Sequence, residues 1–235
     1  LGVANGANPL VVVVPEFDMR KIGQNNPIAQ EANVITITFQ ANVNLEQGSV
    51  VTISGLRNAA VAGGADFVTL LDIRNNGGSL FSDGSIQGRG AWSSGSLTLT
   101  VHPGQTVTAG TEYIFSFQVT NPAAEQNAVT VNIGASGTVS FASANMTTDT
   151  ADIYGISEGG KPMKVIDPSF SATKIGQSNP LASGTNIITV TIQTNGNLEQ
   201  ASVITISGLT NAAVSGGSSY VILTDVGNNG ASLFS

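Results

Sequence analysis

The chain has 235 residues, a formal net charge of −7, and only 10% charged residues against 41% apolar ones. That length can bury one large or two modest cores, and the composition lies outside the low-hydrophobicity, high-charge signature of disorder. An acidic balance repels a phosphate backbone, which excludes nucleic acid as a partner, and no apolar run approaches the roughly 18 residues of a membrane-spanning helix.

In chain order, Leu10–Val14 is a continuous apolar run bracketed by Pro9 and Pro15, and its length and branching predict a strand buried on both faces. Gln24-Asn25-Asn26-Pro27 is turn chemistry. Val34–Gln40 then alternates strictly. Ile35, Ile37 and Phe39 point one way and Thr36, Thr38 and Gln40 the other, which predicts a half-buried strand. Ser49–Ser54 is the next strand, with Val51 and Ile53 on one face and Gly55 ending it. Asp66–Ile73 is a further strand, and Asn75-Asn76-Gly77-Gly78 a tight reversal into Ser79–Phe81. The same idiom continues with Leu97, Leu99 and Val101 inward on Ser96–Val101. It recurs with Tyr113, Phe115, Phe117 and Val119 on Tyr113–Val119, and with Val129, Val131 and Ile133 on Val129–Ile133. Thr138–Phe141 closes the series. No stretch has helical periodicity, so the expectation is an all-β, antiparallel β-sandwich.

The chain also repeats itself. KIGQNNPIAQ…NVITITFQ…NLEQGSVVTISGLRNAAVAGG…NNGGSLFS (Lys21–Ser82) returns as KIGQSNPLAS…NIITVTIQ…NLEQASVITISGLTNAAVSGG…NNGASLFS (Lys174–Ser235), at a constant offset of 153 positions. A weaker match lays Leu1–Phe17 over Tyr154–Phe170. Residues 1–153 therefore read as one complete repeat, and 154–235 as the first part of a second copy. In that copy Ile188, Val190 and Ile192 should face inward. The second copy lacks counterparts of Ser96–Val101, Tyr113–Val119 and Val129–Ile133, so it needs completing by chain continuation or by a neighbouring subunit. Either route places Ser235 at a protein junction.

Chemistry is harder to find. His102 is the only histidine and cysteine is absent, so the usual nucleophile–base pairs and zinc sets cannot be assembled, and no enzymatic activity is expected. Asp72 to Asp83 has acids at the first and twelfth places of a calcium-type loop, but Arg74 stands where an oxygen ligand belongs. Asp149, Asp152 and Glu158 flank the repeat junction, where an oxygen-rich calcium site is the one cofactor worth considering. The Thr-x-Thr pairs Thr36/Thr38, Thr98/Thr100 and Thr189/Thr191 read as solvent-facing threonines. Asn145-Met146-Thr147 is the single N-x-[ST] sequon, which makes Asn145 the candidate glycosylation site.

Taken together, NxITIT…LEQGSxITISGLxNA followed by W…GSLTLTVxxGQTVxAGTEYxFSFQVTNP resembles the tandem, immunoglobulin-like β-sandwich repeats of very large secreted surface and fibre proteins of algae and other protists, which implies an all-β, antiparallel β-sandwich (immunoglobulin-like) in tandem repeats of about 153 residues. Val34–Leu56 and Leu97–Pro122 carry the resemblance. It implies an extracellular or cell-surface location, self-association or tandem copies of the same unit as partners, and covalently attached glycans. The function it implies is a structural building block of a filament, fibre or surface coat. The alternative is an adhesin or carbohydrate-binding module, which would want a platform of exposed aromatics near the sole tryptophan, Trp92.

Overall fold

In a computed structural model of the chain, residues 2–3, 6–217 and 219–234 are described. Leu1 and Ser235, the outer ends of the two sequence copies, lie outside them.

Twelve strands build the first part of the chain: β1 (Phe17–Gln24), β2 (Ala32–Ala41), β3 (Val50–Ser54), β4 (Phe67–Thr69), β5 (Leu71–Arg74), β6 (Phe81–Ser82), β7 (Arg89–Ser93), β8 (Ser96–Val101), β9 (Glu112–Thr120), β10 (Asn132–Ser136), β11 (Phe141–Asn145) and β12 (Thr147–Thr148). They form two sheets, in the orders β12-β1-β2-β9-β5 and β11-β10-β3-β8-β7-β4, with β6 also on β8. The alternation read from the sequence decides which face of each strand is buried. Ile35, Ile37 and Phe39 of β2, Leu97, Leu99 and Val101 of β8, and Phe115, Phe117 and Val119 of β9 are all sealed in one core. Rings from the two sheets meet there: Phe39 and Phe115 each lie about 6 Å from Phe81, and Phe17 lies 4.7 Å from Phe141. Each such side chain contributes roughly 1.5–3 kcal/mol by leaving water, which fixes the register. The protein is all-β, and this part of it is a β-sandwich.

Several expectations need correcting. The run 66–73 is not one strand. It breaks at Leu70, so that β4 pairs β7 in one sheet and β5 pairs β9 in the other. Val68 is buried in β4 whereas all of β5 is exposed, and a run of strand-forming residues does not by itself show where a strand changes sheets. Asn75 and Asn76 do make the tight reversal, with φ of 53° and 54° and an N–H of Gly77 bonded to Arg74 O at 3.2 Å. Two successive left-handed residues are what a type I′ turn requires. The sheets are antiparallel apart from one edge, where β12 runs parallel to β1 through Lys21↔Thr147 and Ile22↔Thr148.

The larger correction is Leu10–Val14. It forms no strand, and Leu10, Val12 and Val14 are exposed. An apolar run signals a wish for burial, but burial needs a partner surface, and no described residue supplies one here.

The second sequence copy forms β13 (Phe170–Gln177) and β14 (Ile188–Thr194), an antiparallel pair. Its register reproduces that of β1 and β2 residue for residue, including the bulge: Lys174↔Thr191 and Ile175↔Val190 match Lys21↔Thr38 and Ile22↔Ile37. The inward residues expected of this copy are not inward, however. Ile188 and Val190 are exposed and Ile192 is half-buried, because no second sheet covers them. Residues 199–234 are a separate compact unit with no strand among the described residues. Within it the Asp225 carboxylate accepts from the N–H groups of Ala231 (2.5 Å) and Ser232 (3.2 Å).

Candidate functional site

The segment that leaves the sandwich after β12 does not hang free. Residues 149–166 return across the end of the sandwich where β1 finishes and β2 begins, and they are fastened by a set of carboxamides. Gln24, the last residue of β1, is buried. Its Nε2 donates to Gly159 O at 2.8 Å and to Lys164 O at 2.7 Å. Its Oε1 accepts from the Met163 N–H at 2.7 Å and from Asn33 Nδ2 at 2.9 Å. That uses both donors and both acceptor lone pairs of one amide. Asn33 is itself buried and passes its other Nδ2 hydrogen to Asn121 Oδ1 at 2.8 Å, while Asn121 Nδ2 donates to Asn26 O and Ile28 O, both at 2.8 Å. The network is uncharged and every amide in it is engaged, so it can lie in the core without an ionisation cost.

Backbone pairing completes the hold. Gln126 and Val165 exchange both N–H···O bonds at 2.8 Å, Ile166 N–H donates to Pro27 O at 2.8 Å, and Ala29 N–H donates to Ile166 O at 2.9 Å. Gln126 Nε2 also reaches Met163 O at 2.9 Å. Met163 and Val165 are thereby driven inward, with 0% and 2% of their surface left in water, and Met163 joins the sandwich core. On the outer side, Gly23 lets the chain approach closely: a Cβ there would stand 3.0 Å from that of Asp149. Asp149 is held below the usual carboxylate range by the Ala151 N–H and then by Lys21, whose Nζ lies 3.2 Å away.

Far from the sandwich end, Glu16 N–H and Val14 O bond the side chain of Asn42 at 2.9 and 2.8 Å. Asn195 repeats both contacts on Ser169 N–H and Asp167 O, each at 2.9 Å. A linker is thus gripped at its far end by the strand pair that follows it.

The residues singled out from the sequence fall elsewhere or do other work. Asp72 stays near its turn, where its carboxylate accepts from the Gly78 and Ser79 N–H groups at 2.7 and 2.8 Å and from the Ser79 hydroxyl. Burial alone would raise its carboxyl, but the Ser79 hydroxyl and the two N–H groups outweigh that and hold it below its ordinary value. Asp152 caps the Glu158 N–H at 2.7 Å, and Glu158 pairs with Lys161 at 2.6 Å. No group of three or more potential metal-ligating side chains is gathered among the described residues. His102 sits half-buried after β8 with no acid or nucleophile bonded to it. Asn145 ends β11 exposed, its carbonyl accepting from Arg20 Nε at 2.9 Å. Trp92 is buried against Phe117, and every aromatic ring of the sandwich is buried except Phe67, which is half-covered by Arg89. A depression of about 340 Å³ beside Phe67 and Leu71 contains no titratable group.

The carboxamide cluster escaped the sequence reading, in which Gln24 and Asn26 were turn residues and Asn33, Asn121 and Gln126 went unremarked. The available signal was the repeat itself. Gln24 and Asn33 recur as Gln177 and Asn186, and the second pair makes the same Nδ2 to Oε1 bond at 2.9 Å.

No protein-family model matches the chain, and no curated protein matches it. Among solved structures it is similar to an uncharacterized protein from Nocardia farcinica described as having an immunoglobulin-like fold. The two are 16% identical over 63% of this chain and 98% of that one, with a TM-score of 0.31. The β-sandwich described above rests instead on strand pairing and the shared core.

Proposed function

We propose that this chain is a structural building block of an extracellular filament, fibre or surface coat, made of tandem β-sandwich repeats of about 153 residues and carrying glycans. One observation carries the reading. The polypeptide leaves the sandwich along a path pinned by Gln24 and Gln126, and then begins the same two strands again in the same register. A linker fastened at both ends transmits orientation from unit to unit, which is what a stiff array requires and what a flexible tether lacks. The outer side of β13–β14 supports the same reading. Gly176 matches Gly23 yet has nothing within 4 Å of its absent Cβ, and a depression of about 310 Å³ opens there, lined by Lys174, Gly176, Gln177, Thr189 and Thr191. The close approach that needs a glycine is made at Gly23 and remains open at Gly176, as expected of a unit awaiting its remaining strands.

The reading is structural and not catalytic, with copies of the same unit and covalent glycans as partners. An adhesin or carbohydrate-binding role would call for an aromatic platform, and among the described residues of the sandwich the only ring not buried is Phe67, which lies under Arg89. Electron microscopy of the native material tests the proposal: particles repeating at a regular axial spacing are expected. Discrete, non-repeating globules binding immobilised glycans would favour the adhesin instead.

A further inference from the structure

The exposed run Leu10–Val13 lies at the same place in the repeat as Met163–Ile166, at the 153-residue offset. The two have opposite fates. Leu10 and Val12 are 99% and 88% exposed, whereas Met163 and Val165, their counterparts, are 0% and 2% exposed. Their backbones nevertheless agree. Leu10 has φ 64° and Met163 φ 56°; Gly2 has φ 68° and Gly155 φ 71°. Gly6 N–H bonds Val3 O at 3.1 Å as Gly159 N–H bonds Ile156 O at 3.0 Å, and Val11 N–H bonds Asn8 O at 3.4 Å as Lys164 N–H bonds Lys161 O at 3.2 Å. Gly2 and Gly155 also bring the chain hard against an asparagine, Asn44 and Asn197 respectively, whose Oδ1 leaves no room for a Cβ.

A left-handed conformation is unfavourable for any residue with a β-carbon. At Met163 that cost is offset by complete burial. At Leu10 nothing described offsets it. The segment therefore holds the shape of a docked linker without the surface it docks on.

We propose that Leu10–Val13 is a docking segment, and that its occupant is a second copy of the sandwich, presenting the end formed by Gln24, Asn33, Pro27, Ala29 and Gln126. The proposal rests on the tandem-array reading above and names the contact that joins its units. Recognition is mostly through main chain. The Val12 and Val13 N–H groups take the places of those of Val165 and Ile166, which donate to Gln126 O and Pro27 O, so the different side chains of the two linkers do not alter the bonds. Leu10 and Val12 fill the positions of Met163 and Val165, and the Leu10 N–H meets the Gln24 Oε1 that Met163 meets here at 2.7 Å. Contacts of this kind join unlike surfaces, the front of one copy and the end of another, so they propagate without closing.

The test extends the full chain by joining an additional copy of residues 1–153 ahead of Leu1, so that the original spacing is kept. Amide hydrogen exchange is then read at Val12 and Val13 of the original chain. These amides should exchange at least about 100-fold more slowly than in the 235-residue chain, as docked segments do. Gln24→Ala together with Gln126→Ala, placed in the added copy alone, should reduce most of that gain. Protected amides at Ile35 and Phe115 of the added copy show that it has folded. Unchanged exchange at Val12 and Val13 beside a folded added copy overturns the proposal, and so does slowing that survives both substitutions. The two readings fail separately. Docking without any native repeating assembly would sink the filament reading, whereas native filaments with unprotected Val12 and Val13 would sink this contact.

Discussion

Gln24→Ala removes the carboxamide that holds the linker and leaves four groups without it: the carbonyls of Gly159 and Lys164, the Met163 N–H and one hydrogen of Asn33 Nδ2. At about 1–3 kcal/mol for each buried group left unsatisfied, the upper bound is well above the stability of most single contacts. Two effects lower it. The vacated space is polar, and a water with several partners can occupy it. The linker can also let go, which caps the loss at the free energy of docking. A loss of roughly 3–4 kcal/mol is expected on these grounds. Trp92, the sole tryptophan and buried against Phe117, reports unfolding of the sandwich in urea. Exchange at the Val165 amide reports linker release. If docking and sandwich unfold together, the urea midpoint falls by about 1.5–2 M for a slope near 2 kcal/mol/M. If the linker releases first, Val165 exchange accelerates by about 100-fold or more while the Trp92 transition moves less. Gln177→Ala is the internal control, since Gln177 holds the equivalent position but is exposed, and it should cost less than about 0.5 kcal/mol. Equal effects of the two substitutions, or a Gln24→Ala midpoint shift below about 0.3 M with unaltered Val165 exchange, would refute the assignment of Gln24 as the clamp.

Other predictions contrast the two copies or probe single sites. Ile37→Ala should destabilise the sandwich by about 2–5 kcal/mol and Val190→Ala by under about 0.5 kcal/mol in the same urea assay, because Ile37 is 0% exposed and Val190 40%. Asp72→Asn should cost no more than about 1 kcal/mol at pH 7, because the site is largely open to solvent. Its folded carboxyl lies below the ordinary value of 3.8, so the wild-type advantage is full above about pH 5 and disappears as pH falls through the folded pKa; an advantage that grows in acid would contradict the bonding. Expression through a eukaryotic secretory pathway should add glycan mass that Asn145→Gln removes, and an intact mass equal to the bare polypeptide would count against that site.

Strand parity and turn chemistry were legible along the chain. β-branched and aromatic residues every second position put Ile35, Leu99 and Phe115 on buried faces, and Asn75-Asn76-Gly77-Gly78 marked a tight reversal, which Asn75 and Asn76 make in the left-handed region. Periodicity is a property of one strand, so it was silent wherever a second element decides the outcome. It could not show Leu70 carrying the chain from one sheet to the other, or β12 settling parallel to β1. It gave Leu10–Val14 and Ile188–Ile192 the signature of burial, yet both lie largely open, because burial needs a facing surface and no described residue supplies one. The clamp was hidden for the same reason. Gln24, Asn33, Asn121 and Gln126 are ordinary polar residues along the chain, and only the return of residues 159–166 across the sandwich end desolvates them and makes their hydrogen bonds decisive.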